Sequence, residues 1–304
     1  MKIPPEIIAN TIASAQQCYK SSKRRSLDRS ISVLRRKMHK ALHDHMQGPM
    51  VLLEESLRFL IAFEQYQHTR ELNEKTSPFA FRLALVRSDL LSIRELVNLG
   101  QESAALALGR VFIENVEVAM ALSIDPVFAI AYFNAENSDE FWSKNIGYGK
   151  IYPYVQRFFE YGGRPIDEVI ERLQFHKTVK SFLSEHIHPT PLSALKATFP
   201  PSLKNPGMFE NRPLGAVGEN IASLCLFLAE ETLLFAGCCV NIFIGPNPPP
   251  ALSDYAPNKL LREAMTAAHV LQELSTEYLD EFHRIDSEIK KRWKIALSFD
   301  DKAG

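Results

Sequence analysis

The stretch Glu102–Ile124, ESAALALGRVFIENVEVAMALSI, decides the fold. Apolar residues fall on nearly every side of its helical wheel, and Asp125-Pro126 stands ready to end it. A helix that is apolar all round must be surrounded by others, so this segment is the central rod of a helical bundle. Three charges interrupt it: Arg110, Glu114 and Glu117. Arg110 and Glu114 are four residues apart and share a face. An unpaired charge in such surroundings costs on the order of several kcal/mol. The two residues therefore form an internal ion pair that fixes helix register, or they line a polar pocket. In that pocket Arg110 would hold an anion and Glu114 would orient a histidine.

Helical periodicity continues on both sides. Leu27, Ile31, Leu34, Met38 and Leu42 recur at spacings of three and four, which predicts one amphipathic helix. A second is expected after Pro49, carrying Leu53, Leu57, Leu60 and Ile61, and a third from about Phe79 to Leu99 with Gly100 as its stop. Shorter helical readings follow at 127–136 and 139–160, the latter broken by Gly147, Gly149 and Pro153, and another runs from Pro165 to about Glu185. Residues 189–213 hold six prolines, which reads as a long loop or hinge. The most apolar helix, about 216–244, carries Glu230 and Glu231 near its centre, so a buried core helix is expected there and no membrane span.

After the spacer Gly-Pro-Asn-Pro-Pro-Pro at 245–250, apolar residues recur from Leu260 and Leu261 through Ala264, Ala267, Leu271, Leu274, Tyr278, Phe282, Ile285 and Ile289. This pattern predicts a long amphipathic C-terminal helix that packs across the bundle or pairs with a second copy of the chain. No run alternates as a strand would. The expected architecture is an all-α multi-helix bundle in three parts. Residues 1–76 form an N-terminal helical extension, 77–244 the core with its proline-rich loop, and 251–304 the C-terminal helix.

The chain has 304 residues with 46% hydrophobic and 23% charged side chains, which excludes a mostly disordered, collagen-like or disulfide-scaffold protein. A formal charge of -1 gives no whole-chain bias toward a polyanion. Charge is nevertheless segregated: Lys20 to His45 holds nine Lys or Arg against two Asp, a local +7. On the predicted helix, Arg25, Arg29, Arg36 and Lys40 project within about 60° of one another, opposite the apolar stripe, and His43 joins them. Such a row suits a solvated or protein-binding face, a track for RNA phosphates, or an anionic membrane surface. Cys18, Cys225, Cys238 and Cys239 form no C-x-x-C pair, so a reducing cytoplasm and no metal or other cofactor are expected. The opening MKIPPEIIANTIASAQQ lacks the continuous apolar run of a signal peptide.

The densest chemistry is Ser184-Glu185-His186-Ile187-His188-Pro189-Thr190, where a helix gives way to the proline-rich loop. His186 and His188 can act as general acid and base, or bind a metal with a third ligand, or complement the helix dipole.

Taken together, LGRVFIENVEVAMAL, the Phe141-Trp142 pair and SEHIHPT resemble a group of all-helical bacterial proteins related to the HEPN superfamily, over roughly residues 79–195. The resemblance implies a helical bundle, often dimeric, found in toxin, RNA-processing and anti-phage systems. Many such proteins are metal-independent ribonucleases whose motif is Arg, four to six residues, then His. Carried onto this chain, His188 or His186 would be the base for a ribose 2'-hydroxyl, Lys180 or Arg110 would stabilise the phosphate, and Glu114 would orient the cluster. Arg25, Arg29, Arg36 and Lys40 would guide RNA. Lys180 stands where the motif before His186 has arginine, and the literal spacing occurs instead at Arg36 to His43 and at Arg262 to His269. The competing expectation is a non-catalytic scaffold whose basic and C-terminal helices bind protein partners.

Overall fold

In a computed structural model of the chain, the structure describes residues 5–18, 27–187, 218–253 and 258–276, and no strand occurs among them. The fold is all-α. Its helices are α1 (Pro5–Cys18), α2 (Leu27–His68), α3 (Ser77–Asn98), α4 (Glu102–Ile124) and α5 (Pro126–Phe133). Then come α6 (Ser138–Asn145), α7 (Tyr152–Tyr161), α8 (Ile166–Ser184), α9 (Glu219–Ile244) and α10 (259–276). As its composition requires, α4 is the central rod, packed against α3, α5, α7, α8 and α9, and everything from Val116 to Ile124 is buried. The second apolar rod, α9, lies against α2, α4 and α7.

Polar pairs set the helix directions. Glu117 meets His176 and Lys180, while Arg110, nearer the start of α4, meets Lys180 and Ser184, so α8 runs antiparallel to α4. Asn220 at the start of α9 donates to Glu102 at the start of α4, 2.8 Å away, so these two run parallel.

Local sequence accounts for the element ends. Gly100 adopts φ +66°, and the Gln101 N–H reaches back to the Leu96 carbonyl at 2.9 Å, closing α3 with a left-handed cap that a side chain would strain. Asp125 turns the chain from α4 into α5: its Oδ1 accepts the N–H groups of Val127 (3.0 Å) and Phe128 (2.9 Å). Asn137 and Asn258 cap α6 and α10 in the same manner.

One boundary departs from the expectation. The helix predicted to end before Pro49 continues through it as part of a 42-residue α2, with non-helical backbone at Met46 (φ -138°, ψ 24°). Pro49 has no N–H for the His45 carbonyl and its ring crowds that group, so the helix bends one turn upstream instead of stopping. Both segments are held by burial, Met38, Leu42 and Met46 on one side of the bend and Leu53, Leu57 and Leu60 on the other.

The described part of the C-terminal helix, α10, buries Ala264, Ala267 and Leu271, the last against Leu52, Leu226 and Ala229 of the same chain. The proline-rich loop, His188, Arg25 and the stripe from Tyr278 onward lie outside the described residues.

Where α7 ends, Gly162 touches α9 closely enough that a methyl group there would sit 2.5 Å from Cys238 Sγ and 3.0 Å from Cys238 Cα. Because backbone is involved, Gly162→Ala should cost about 1–3 kcal/mol through overpacking, read as a lower urea midpoint with an unchanged m-value.

Candidate functional site

The face of α8 that meets α4 and α9 carries Arg172, His176, Lys180 and Ser184, one residue per turn. Each of these side chains finds a polar partner, although Arg172 Nε has no hydrogen bond. Arg172 donates through Nη1 to Glu230 Oε1 at 2.8 Å and through Nη2 to Glu231 Oε1. His176 stands between two carboxylates, with Nδ1 3.4 Å from Glu117 Oε1. Its Nε2 is 2.8 Å from Glu231 Oε2, within ion-pair range but off the hydrogen-bonding direction. Lys180 Nζ donates to Glu117 Oε2 at 2.7 Å. An unbroken ionic chain therefore crosses three helices from Glu230 to Lys180. Aromatic rings close it off: Phe175 and Phe227 lie 5.0 and 5.9 Å from the Arg172 guanidinium, and Tyr152 lies 4.9 Å from Lys180 Nζ.

Burial governs the charge states. His176, Glu117 and Glu231 are 0, 1 and 1% exposed. Burial holds the His176 imidazole below its ordinary 6.5, outweighing the bond from Glu117. Burial pushes the Glu117 carboxyl upward, yet its bonds to His176 and the charge of Lys180 together keep it below 4.5. Arg172 is lowered by burial despite Glu230. A sealed cluster of this kind holds helices together and offers no proton to a substrate.

Arg110 is a strut. Its Nε and Nη2 lie 2.9 and 2.7 Å from Glu114 Oε1, and Nη1 donates to the Lys180 carbonyl (2.9 Å) and Ser184 Oγ (3.2 Å). Glu114 therefore faces Arg110, where the sequence pattern had allowed it to orient a histidine. His186, one turn past α8, has Nδ1 3.5 Å from Ser103 Oγ and meets the Phe182 ring edge-on at 5.5 Å between centroids. Arg110 thus reaches α8 at Lys180 and Ser184, Lys180 Nζ turns to Glu117, and His186 Nδ1 lies beside Ser103.

The sequence reading missed His176. A signal for it exists: on α8 the buried Val169 and Leu183 share their stripe with Arg172, His176 and Lys180, and the matching carboxylates interrupt two long apolar helices.

The basic face of α2 has a different character. Arg29, Arg36 and Lys40 are exposed, as the periodicity predicts. Arg35, Arg36, His39 and Lys40 make no hydrogen bond or ion pair among the described residues, and His43 lies 3.5 Å from Asp44. Upstream of the bend, α2 overhangs the end of α3 and encloses a groove of about 590 Å³. Arg35, Arg36, His39 and His43 form one side, Leu42, Met50 and Val51 the apolar lining, and Glu54, Arg94, Glu95 and Asn98 the other side.

The remaining chemical groups are quiet. Burial pushes the Cys225 thiol up to about 12 and raises Cys238 and Cys239, so these thiols are poor nucleophiles. Among the described residues no three His, Cys, Asp or Glu side chains gather as metal ligands would. By length and composition α9 can cross a membrane, yet 67% of its apolar window is buried against the rest of the fold. No family model, curated protein or solved structure matches the chain.

Acid should destabilise the protein in two stages. The unfolded chain protonates His176 near 6.5 while the folded chain resists, so stability declines as pH falls below that value; Glu117 adds a further loss below 4.5. Urea midpoints between pH 4 and 8 should show both stages, and His176→Gln should remove the first. Glu117→Gln leaves Lys180 uncompensated and should cost about 3–5 kcal/mol. Glu114→Gln, at a partly exposed pair, should cost less than about 1 kcal/mol.

Proposed function

We propose that this chain is an RNA-directed helical protein, a HEPN-like member of a bacterial stress or anti-phage system, which engages RNA through the basic face of α2. The observation that carries this reading is the contrast between its two sets of cations. Arg172 and Lys180 are neutralised by buried carboxylates, whereas Arg35, Arg36 and Lys40 stand exposed with no acidic partner among the described residues. Arg36 and Lys40 rise about 6 Å apart on one helical face, a row able to follow a phosphate backbone and release its counterions.

The test is binding of a fluorescent single-stranded RNA by anisotropy at several salt concentrations. Charge reversal by Arg36→Glu with Lys40→Glu should weaken binding at least tenfold at low salt, on the order expected for two lost phosphate contacts, and flatten the salt slope by roughly 1–2. Unchanged affinity and slope would favour a protein-binding scaffold instead.

A second reading, RNA cleavage, draws on one specific observation: Arg36 and His43, which carry the literal Arg-to-His spacing, both line the groove. In it His43 takes the 2'-hydroxyl proton, the 2'-oxygen bonds phosphorus as the P–O5' bond breaks, Arg36 stabilises the charge building on phosphorus, and water protonates the leaving 5'-oxygen. End-labelled RNA incubated in EDTA should then be cut to cyclic phosphate ends by the wild type and by His186→Ala, and left intact by His43→Ala. Cleavage abolished by His186→Ala alone would return the site to the end of α8. Intact RNA with the wild type leaves binding as the activity.

A further inference from the structure

We propose that the groove between α2 and α3 is a site for one nucleotide of single-stranded RNA, with its phosphate toward Arg35 and Arg36 and its base, cytosine in preference to uracil, against Glu54 and Glu95. The inference rests on the RNA reading above and adds a recognition element to it.

The groove is polarised across its width. The part of α2 upstream of its bend carries Arg35, Arg36, His39 and His43. On the opposite side, Arg94 donates from Nε (3.3 Å) and Nη2 (2.9 Å) to Glu54 Oε1, and from Nη1 (2.8 Å) to Glu95 Oε1. Two carboxylates therefore share one guanidinium and leave that side one negative charge in excess. The pairing uses only Oε1 of each, so both Oε2 atoms remain available as acceptors. The C-terminal end of α3, where Asn98 sits, adds the negative pole of a helix dipole to the same side.

A simple anion fits only half of such a site. A nucleotide fits both halves, because it carries an anionic phosphate at one end and a base edge at the other, with an apolar face between them for Leu42, Met50 and Val51. The volume of about 590 Å³ lies within the range of small-ligand sites and admits one unstacked base, not a duplex. Carboxylates then select among bases by hydrogen-bond direction. The cytosine N4 amine donates to a carboxylate oxygen, whereas the uracil O4 sets acceptor against acceptor. Arg94 is locked between Glu54 and Glu95, which holds these acceptors in place before any ligand arrives.

The experiment compares binding of fluorescent 12-mers of cytidine and uridine to the full chain by anisotropy at low salt. The cytidine 12-mer should bind about fivefold tighter or more. On the wild-type protein, a cytidine 12-mer whose N4 carries two methyl groups should fall to the uridine level, which tests the contact without altering the fold. In Glu54→Gln with Glu95→Gln the preference should vanish while uridine binding holds or tightens, since negative charge has been removed. A damaged groove would instead weaken both. Equal binding of both 12-mers by the wild type, still weakened by Arg36→Glu with Lys40→Glu, would overturn the nucleotide site and leave the RNA reading standing. Failure of either 12-mer to bind at low salt would remove both.

Discussion

Glu117 is the constraint on which the core depends. It sits on the apolar central helix, and its two oxygens face two side chains of α8, the His176 imidazole and the Lys180 ammonium. Neither His176 nor Lys180 could lie inside the bundle without it, because the free energy lost on leaving water is recovered only by a partner at short range. His176 in turn reaches Glu231, which holds Arg172, so one carboxylate on α4 indirectly positions α9. Apolar burial supplies most of the attraction between these helices but tolerates sliding. The ionic chain has one register in which every member is paired, and that register sets where α8 and α9 stand around α4.

The same bundle leaves a second group of charges outside. Where α3 stops at its left-handed glycine, α2 continues upstream past its bend, and the overhang creates a concave surface that neither helix has alone. The inner charges serve architecture because they are sealed and matched. Arg35, Arg36 and Lys40 on α2 are open and have no acidic partner among the described residues, which is the condition under which a cation is free to attract a mobile polyanion. What a charge does in this fold depends on how it is accompanied, and not on how many charges the chain has.

Much of the fold was legible from periodicity. The central helix, the stop at Gly100, the turn at Asp125-Pro126 and the buried helix around Glu230 follow from local pattern and capping chemistry, which act over a few residues. The passage of α2 through Pro49 was not legible, since a lost hydrogen bond is the same in sequence whether neighbouring burial compensates for it or not. His176 escaped because a lone histidine beside Lys177 on a helix of mixed character reads as surface, and its two carboxylates lie 59 and 55 positions away in the chain. The partners of Arg110 and His186 depend on the register between α4 and α8, which no spacing within either helix encodes. For the groove, one basic side was visible, and the opposite acidic side required the tertiary arrangement.

The order of synthesis gives the ionic chain another consequence. Glu230 and Glu231 emerge 58 and 59 positions after Arg172. At typical translation speeds that gap lasts roughly 3–12 s. During it, α8 can meet Glu117 but keeps an uncompensated arginine and holds that side in water. The nascent chain therefore waits with the apolar flank of α4 uncovered until α9 arrives.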